Sequence, residues 1–187
     1  SGARGAGIWK STDGGVTWNQ LSSTIGFYYV NDLVVRNEGG TGVVYAACRG
    51  WYYGGQWHGA INNGVQRSVN GGTSWTQVLP NVPGQSIKYA AADIEIAADN
   101  RIWVGTIPSS YSASDRGGGR VLYSDNGTNW TVAYSVPNGE RVKIACAPGD
   151  ANYVYAITEV SSQVGDIART TNKGTIWTSV NEPNDVD

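Results

Sequence analysis

Four times along this chain an eight-residue pattern recurs, and a chain built this way has few folds open to it. Ser11-Thr12-Asp13-Gly14-Gly15-Val16-Thr17-Trp18 and Ser68-Val69-Asn70-Gly71-Gly72-Thr73-Ser74-Trp75 share a layout. Each has a hydroxyl residue, an Asp or Asn two places on, a glycine two further and a closing Trp. Thr170-Thr171-Asn172-Lys173-Gly174-Thr175-Ile176-Trp177 opens on Thr instead of Ser. Tyr123-Ser124-Asp125-Asn126-Gly127-Thr128-Asn129-Trp130 keeps Asp125, Gly127 and Trp130 in register, with Tyr123 in the hydroxyl position.

An apolar-alternating stretch precedes each copy and a second short strand starts at the closing Trp. Between them an Asp or Asn side chain can bond its own backbone and glycine can take a positive φ, so each copy reads as a hairpin turn. The Trp folds back over the hairpin and is expected to bury its ring. Asp13, Asn70, Asp125 and Asn172 are therefore expected to be turn caps, with Trp18, Trp75, Trp130 and Trp177 as structural plugs. Those tryptophans lie 57, 55 and 47 residues apart, a period in the range of propeller blades. The pattern resembles the Asp-box, or BNR, repeat Ser-x-Asp-x-Gly-x-x-Trp. That repeat belongs to the β-propellers of sialidases, xyloglucanase-type glycoside hydrolases and sortilin-like proteins.

Bulk properties agree with an all-β chain. Charged residues make up only 15%, while 26 glycines and 8 tryptophans are present among 187 residues, the profile of a turn-dense secreted protein. The net charge of −2 with scattered basic residues gives no surface for nucleic acid. No run of 18 apolar residues exists, so no membrane insertion is expected. With no methionine and no leader pattern, the chain reads as a mature product or an internal fragment. Cys48 and Cys146 fall on strand ends two blades apart and on opposite faces, so no disulfide joins them.

In chain order, residues 1–21 hold only the last two strands of a blade. Complete four-stranded antiparallel blades are expected at about 32–79, 93–134 and 142–180, giving three and a half blades of a single partial β-propeller over 1–187. An open arc leaves blade faces exposed, so the remaining blades of a longer parent chain, or a second copy, should complete the ring.

The repeat turns belong to one face of such a disc and the longer loops to the other, where function concentrates. The longest is Arg49–Asn63, which carries Trp51, Tyr52, Tyr53, Trp57 and His58. Aromatic faces with flanking amides and few charges suit sugar rings, and the alternative is that these rings pack the loop onto its blade. Tyr111 in a neighbouring loop joins the candidate platform. Hydrolysis of a glycoside needs two facing carboxylates. Asp32 and Asp93, at equivalent starts of adjacent inner strands, are the candidate catalytic pair, with Asp115 and Glu140 as further acids. The alternative reading is that Asp32 and Asp93 cap loop backbone. No Arg-Ile-Pro signature of a sialidase is present, and no catalytic residue of the resembled families can be matched here. One His and two distant Cys make no metal site, Gly117-Gly118-Gly119 opens no helix and cradles no phosphate, and no cofactor is expected.

The expected function is that of a secreted or cell-surface propeller binding a poly- or oligosaccharide, from a glycoside hydrolase or a glycan-binding protein. The alternative is a protein-interaction propeller of the sortilin or assembly-factor type, without catalysis.

Overall fold

The computed structural model describes residues 5–59, 63–109 and 113–180. Its described residues are built of antiparallel strands with one short 3-10 turn at Ser22–Thr24. β1 (Trp9–Lys10) and β2 (Asn19–Gln20) form a two-stranded piece. β3 (Val30–Glu38) and β4 (Thr41–Cys48) follow, then a separate hairpin of β5 (Trp51–Tyr53) and β6 (Gln56–His58). β7 (Gly64–Ser68) and β8 (Thr76–Gln77) complete a sheet in the order β3-β4-β7-β8. The second sheet is β9 (Ala90–Ile96), β10 (Ile102–Ile107), β11 (Arg120–Ser124) and β12 (Thr131–Ser135). The third is β13 (Val142–Cys146), β14 (Val154–Val160), β15 (Gln163–Thr170) and β16 (Trp177–Ser179). Three four-stranded meanders after a half-sheet are the three and a half blades of a partial β-propeller.

Tight turns set the strand registers. Gly39 and Gly40 join β3 to β4 with φ of 59° and 86°, the positive-φ pair that matches the twist of a two-residue hairpin. Sheets then pack face to face. Val43, Tyr45, Ala47 and Val65 of the first meet Ala91, Ile102, Val104 and Leu122 of the second. The opposite face of the second, with Trp103 and Val121, meets Val142, Ile144, Val154 and Ala156 of the third. The half-sheet uses Ile8 and Phe27 to cover Ala46 and Cys48. Every residue of β10 is therefore buried, sandwiched on both sides, whereas β13 and β14 alternate buried and exposed.

The repeat turns are closed by their own side chains. Asp13 Oδ1 accepts the Thr17 amide at 2.9 Å, and Ser11 Oγ accepts that of Gly15 at 2.8 Å. Asn70 accepts the Ser74 amide at 2.9 Å and Asn172 that of Ile176 at 2.8 Å. The Asp125 turn differs from the sequence expectation. There Ser124 is the hydroxyl residue and accepts from Gly127, while Asn126 accepts the amides of Thr128 and Asn129 at 3.0 and 2.8 Å. The turn is one residue shorter than its siblings, so Asn126 takes the capping place. Asp125 instead ion-pairs with Arg101 at 2.7 Å.

Three of these turns lean on the sheet before them. Trp177 meets Trp103 edge-on at 5.9 Å, and Trp75 meets Phe27 at 5.5 Å. A cation from the sheet before grips a turn carbonyl: Lys10 that of Gly71 at 3.1 Å, Arg36 that of Asp125, and Arg101 that of Lys173 at 2.8 Å. Among the described residues no sheet precedes Trp18, which is 56% exposed instead of burying its ring.

Candidate functional site

Asp32 and Asp93 occupy equivalent places on β3 and β9, and each reaches across to the next sheet. Asp32 Oδ2 accepts the Ile94 amide at 3.3 Å and its Oδ1 accepts that of Leu33 at 2.7 Å. Asp93 Oδ2 accepts the Ile144 amide at 2.8 Å, and its Oδ1 pairs with Lys143 at 2.7 Å. Asp93 is 5% exposed. Burial raises the Asp32 pKa above the ordinary carboxylate value, and the adjacent Asp93 carboxylate adds to that rise. All four carboxylate oxygens are thus held by backbone amides or an ammonium group, and the two residues sew one inner strand to the next. Asp115 is similarly engaged, accepting the Gly117 amide at 2.8 Å and pairing with Arg120 at 2.7 Å.

The long aromatic segment is a small hairpin. Gly54 and Gly55, at φ 59° and 77°, turn β5 back onto β6, and the register sets Trp51 opposite His58 and Tyr52 opposite Trp57. Cross-strand partners share a side of a hairpin, so its aromatics divide between two sides and do not form one flat platform. Tyr52 and Trp57 meet edge-on at 5.0 Å. His58 packs edge-on against Tyr28 at 5.2 Å and lies 6.3 Å from Tyr53. Tyr53 opens instead on a second hollow beside Tyr28, Gln20 and Ile25. Tyr111 lies outside the described residues.

Among the described members of that set only Trp51 reaches a cleft of about 510 Å³, lined also by Tyr29, Asn31, Arg49, Glu140, Arg141 and Glu159. The cleft forms because strand ends of all three full sheets meet there. Tyr29 and Asn31 flank the start of β3, Arg49 follows β4, Arg141 precedes β13, and Glu159 lies near the end of β14. The Arg49 guanidinium sits over the Trp51 ring at 3.9 Å, a cation–π contact that fixes the indole in the cleft wall. Glu140 and Glu159 are joined through backbone, Glu140 donating its amide to the Glu159 carbonyl at 2.7 Å. Buried Asn63 donates to Ser109 Oγ at 3.0 Å, tying the base of the hairpin segment to the neighbouring sheet. Arg49, Arg141 and Glu159 were not singled out from the sequence. Their position at strand ends on the loop face was the available signal.

This arrangement is that of a β-propeller segment with an aromatic, polar cleft on its loop side. No family model matches the chain, and no curated protein matches it by sequence. Solved structures do match in fold. An ancestral GH74 enzyme is similar with a TM-score of 0.65 and 20% identity, over 96% of this chain and 22% of that one. The extracellular domain of BT4673 from B. thetaiotaomicron gives 0.61 and 12%, over 95% and 20%. YCF48 bound to D1 peptide gives 0.52 and 19%, over 92% and 46%. At these identities the likeness concerns the fold alone, and the chain spans less than half of each of these three neighbours.

Proposed function

We propose that the loop-face cleft binds an oligosaccharide segment, and that this chain is an Asp-box propeller of the extracellular space or cell surface acting by recognition. The observation that supports it is the composition of the cleft. Trp51 lines one hollow of about 510 Å³ together with Tyr29, Asn31, Glu140, Arg141 and Glu159. An indole face takes the axial C–H groups of a pyranose, while carboxylate, amide and guanidinium groups take its hydroxyls. The volume lies within the range of small-ligand pockets, about 300–1,000 Å³. An ancestral GH74 enzyme and the extracellular domain of BT4673 share the architecture in kind, and the low identities lend weight only to that architecture.

Hydrolysis through Asp32 and Asp93 is not part of this reading, because their oxygens are occupied in joining strands. A peptide ligand is the second reading. Three guanidinium groups, Arg49, Arg116 and Arg141, line the cleft against two carboxylates, and that excess favours an acidic segment. Glycan-array and affinity-electrophoresis binding separates the two. Oligosaccharide binding should weaken at least about tenfold in Trp51→Ala, the loss of one buried stacking contact, and persist in Tyr52→Ala. A folded sample that retains no glycan, while acidic peptides bind, overturns the carbohydrate reading.

A further inference from the structure

A second hollow, of about 390 Å³, adjoins the Trp51 cleft and shares Pro108, Arg116 and Glu140 with it. Beyond the shared residues it is lined by the side chains of Ser114, Asp115, Arg120 and Asn138 and by the backbone of Gly118 and Gly139. Arg116 and Glu140 thus stand where one hollow passes into the other.

Consecutive glycines bring the walls of this second hollow together. A Cβ on Gly118 would lie 2.7 Å from the Gly139 carbonyl oxygen, and one on Gly119 only 2.6 Å from the Gly139 Cα, so glycine alone admits the approach. The Gly119 amide donates to the Glu140 carbonyl at 2.8 Å, and the Val136 amide to the Gly119 carbonyl at 2.9 Å. Pro137 and Asn138 form the middle of a turn closed by the Gly139 amide on the Val136 carbonyl at 3.0 Å. The third residue of such a turn needs a positive φ, ordinarily a place for glycine. Asn138 takes it at φ 57° and so brings an exposed carboxamide to the hollow.

The two hollows differ in chemistry. The first carries the rings of Trp51 and Tyr29, whereas the described lining of the second holds no aromatic ring. Asp115 and Arg120 are paired at 2.7 Å, so they add polar atoms without adding net charge. The Gln85 amide donates to Ser114 Oγ at 2.9 Å, which leaves the hydroxyl hydrogen of Ser114 to donate in turn. A stacking position followed by a hydroxyl-bonding position suits successive units of a sugar chain. The balanced charges of the second hollow offer an acidic peptide no further attraction.

Resting on the carbohydrate reading of the cleft, we propose that the two hollows are one groove for consecutive units of a linear, neutral oligosaccharide. One unit stacks on Trp51, the chain passes Arg116 and Glu140, and the following units bond to Asn138, Ser114 and Arg120. The ligand is then an internal stretch of a polysaccharide and not a single terminal sugar.

Calorimetric titration of the folded protein with β-glucan, β-mannan and β-xylan ladders, from disaccharide to hexasaccharide, tests it. The series that binds should gain at least about tenfold in affinity from disaccharide to hexasaccharide, as expected when further hydrogen bonds are made. Asn138→Gly removes the carboxamide while glycine takes the turn's φ freely. It should weaken the hexasaccharide by about threefold to tenfold, the worth of one hydrogen bond, and leave the disaccharide unchanged. Trp51→Ala should weaken both. A hexasaccharide bound no tighter than the disaccharide, or a length gain indifferent to Asn138→Gly, overturns the groove and leaves the Trp51 cleft standing. A galacturonan ladder that binds more tightly than every neutral one overturns the neutral ligand. Failure of all the ladders to bind overturns the groove together with the carbohydrate reading.

Discussion

Asp93 shows how a single carboxylate serves two sheets. Its side chain is nearly dry, with one oxygen on the Ile144 amide and the other on Lys143. Asp93→Ala leaves a buried amide without an acceptor and should cost about 2 kcal/mol, read by urea denaturation. Asp32 differs, because burial and the neighbouring Asp93 raise its pKa. A carboxyl whose folded pKa is raised contributes stability present below its unfolded pKa and lost as pH rises through the folded value. Asp32→Asn should therefore flatten the decline in stability as pH rises from about 4 through the weakly acidic range, measured by melts across that range. Asp13 runs the other way. The Thr17 hydroxyl and amide, then Ser11, hold its pKa down to about 2. Its contribution is present above about pH 4 and lost as pH falls toward 2, and NMR titration should place the midpoint near that value. Burial pushes the Cys48 and Cys146 thiols up to about 12, and both are free. Neither should react with a thiol reagent at pH 8 until the chain is unfolded.

At the scale of the element, the repeat turn is a local structure with a tertiary requirement laid over it. Ser or Thr and Asp or Asn close the loop within eight residues, so the turn is legible without any partner. The glycine is needed twice, once for its positive φ and once because the preceding sheet lies against it. Gly15 and Gly174 separate these causes: at φ of 92° and 84°, a Cβ on Gly15 would lie 4.0 Å from its own turn's Trp18, and one on Gly174 only 2.5 Å from Trp103 of the preceding sheet. Gly15→Ala should cost about 1 kcal/mol of conformational strain, and Gly174→Ala an additional 1–3 kcal/mol or so of overpacking against Trp103. Chemical denaturation of both variants checks the difference. The shift from Asp125 to Asn126 belongs to the same scale. Both residues can cap a turn, and only the loop length, one residue shorter, chose between them. The β5–β6 hairpin was less legible still. Its aromatic content marked a functional segment, but which rings share a side depends on the Gly54-Gly55 turn and the register that follows from it.

Across the whole molecule, the sheets hold together through large side chains trapped between them. Trp103 is fully buried between the second and third sheets, and Trp103→Ala should cost about 3–5 kcal/mol. Tyr155 holds the same place on a face that the described residues leave open, so Tyr155→Ala should change stability by no more than about 0.5 kcal/mol. Equal positions with unequal costs, measured by denaturation, would show that packing between sheets, more than the strand itself, carries the stability. The sequence by itself determined the all-β class, the four-stranded antiparallel sheets and three of the four turns in their right register, because hydrogen bonding within a turn and alternation along a strand are local. Only the tertiary structure decided that Asp32 and Asp93 join strands, that among the described residues of the aromatic set only Trp51 reaches the cleft, and that Arg49, Arg141 and Glu159 meet it there. Those outcomes depend on which strand ends converge when sheets pack, and convergence between residues so far apart in sequence leaves no pattern in a linear chain.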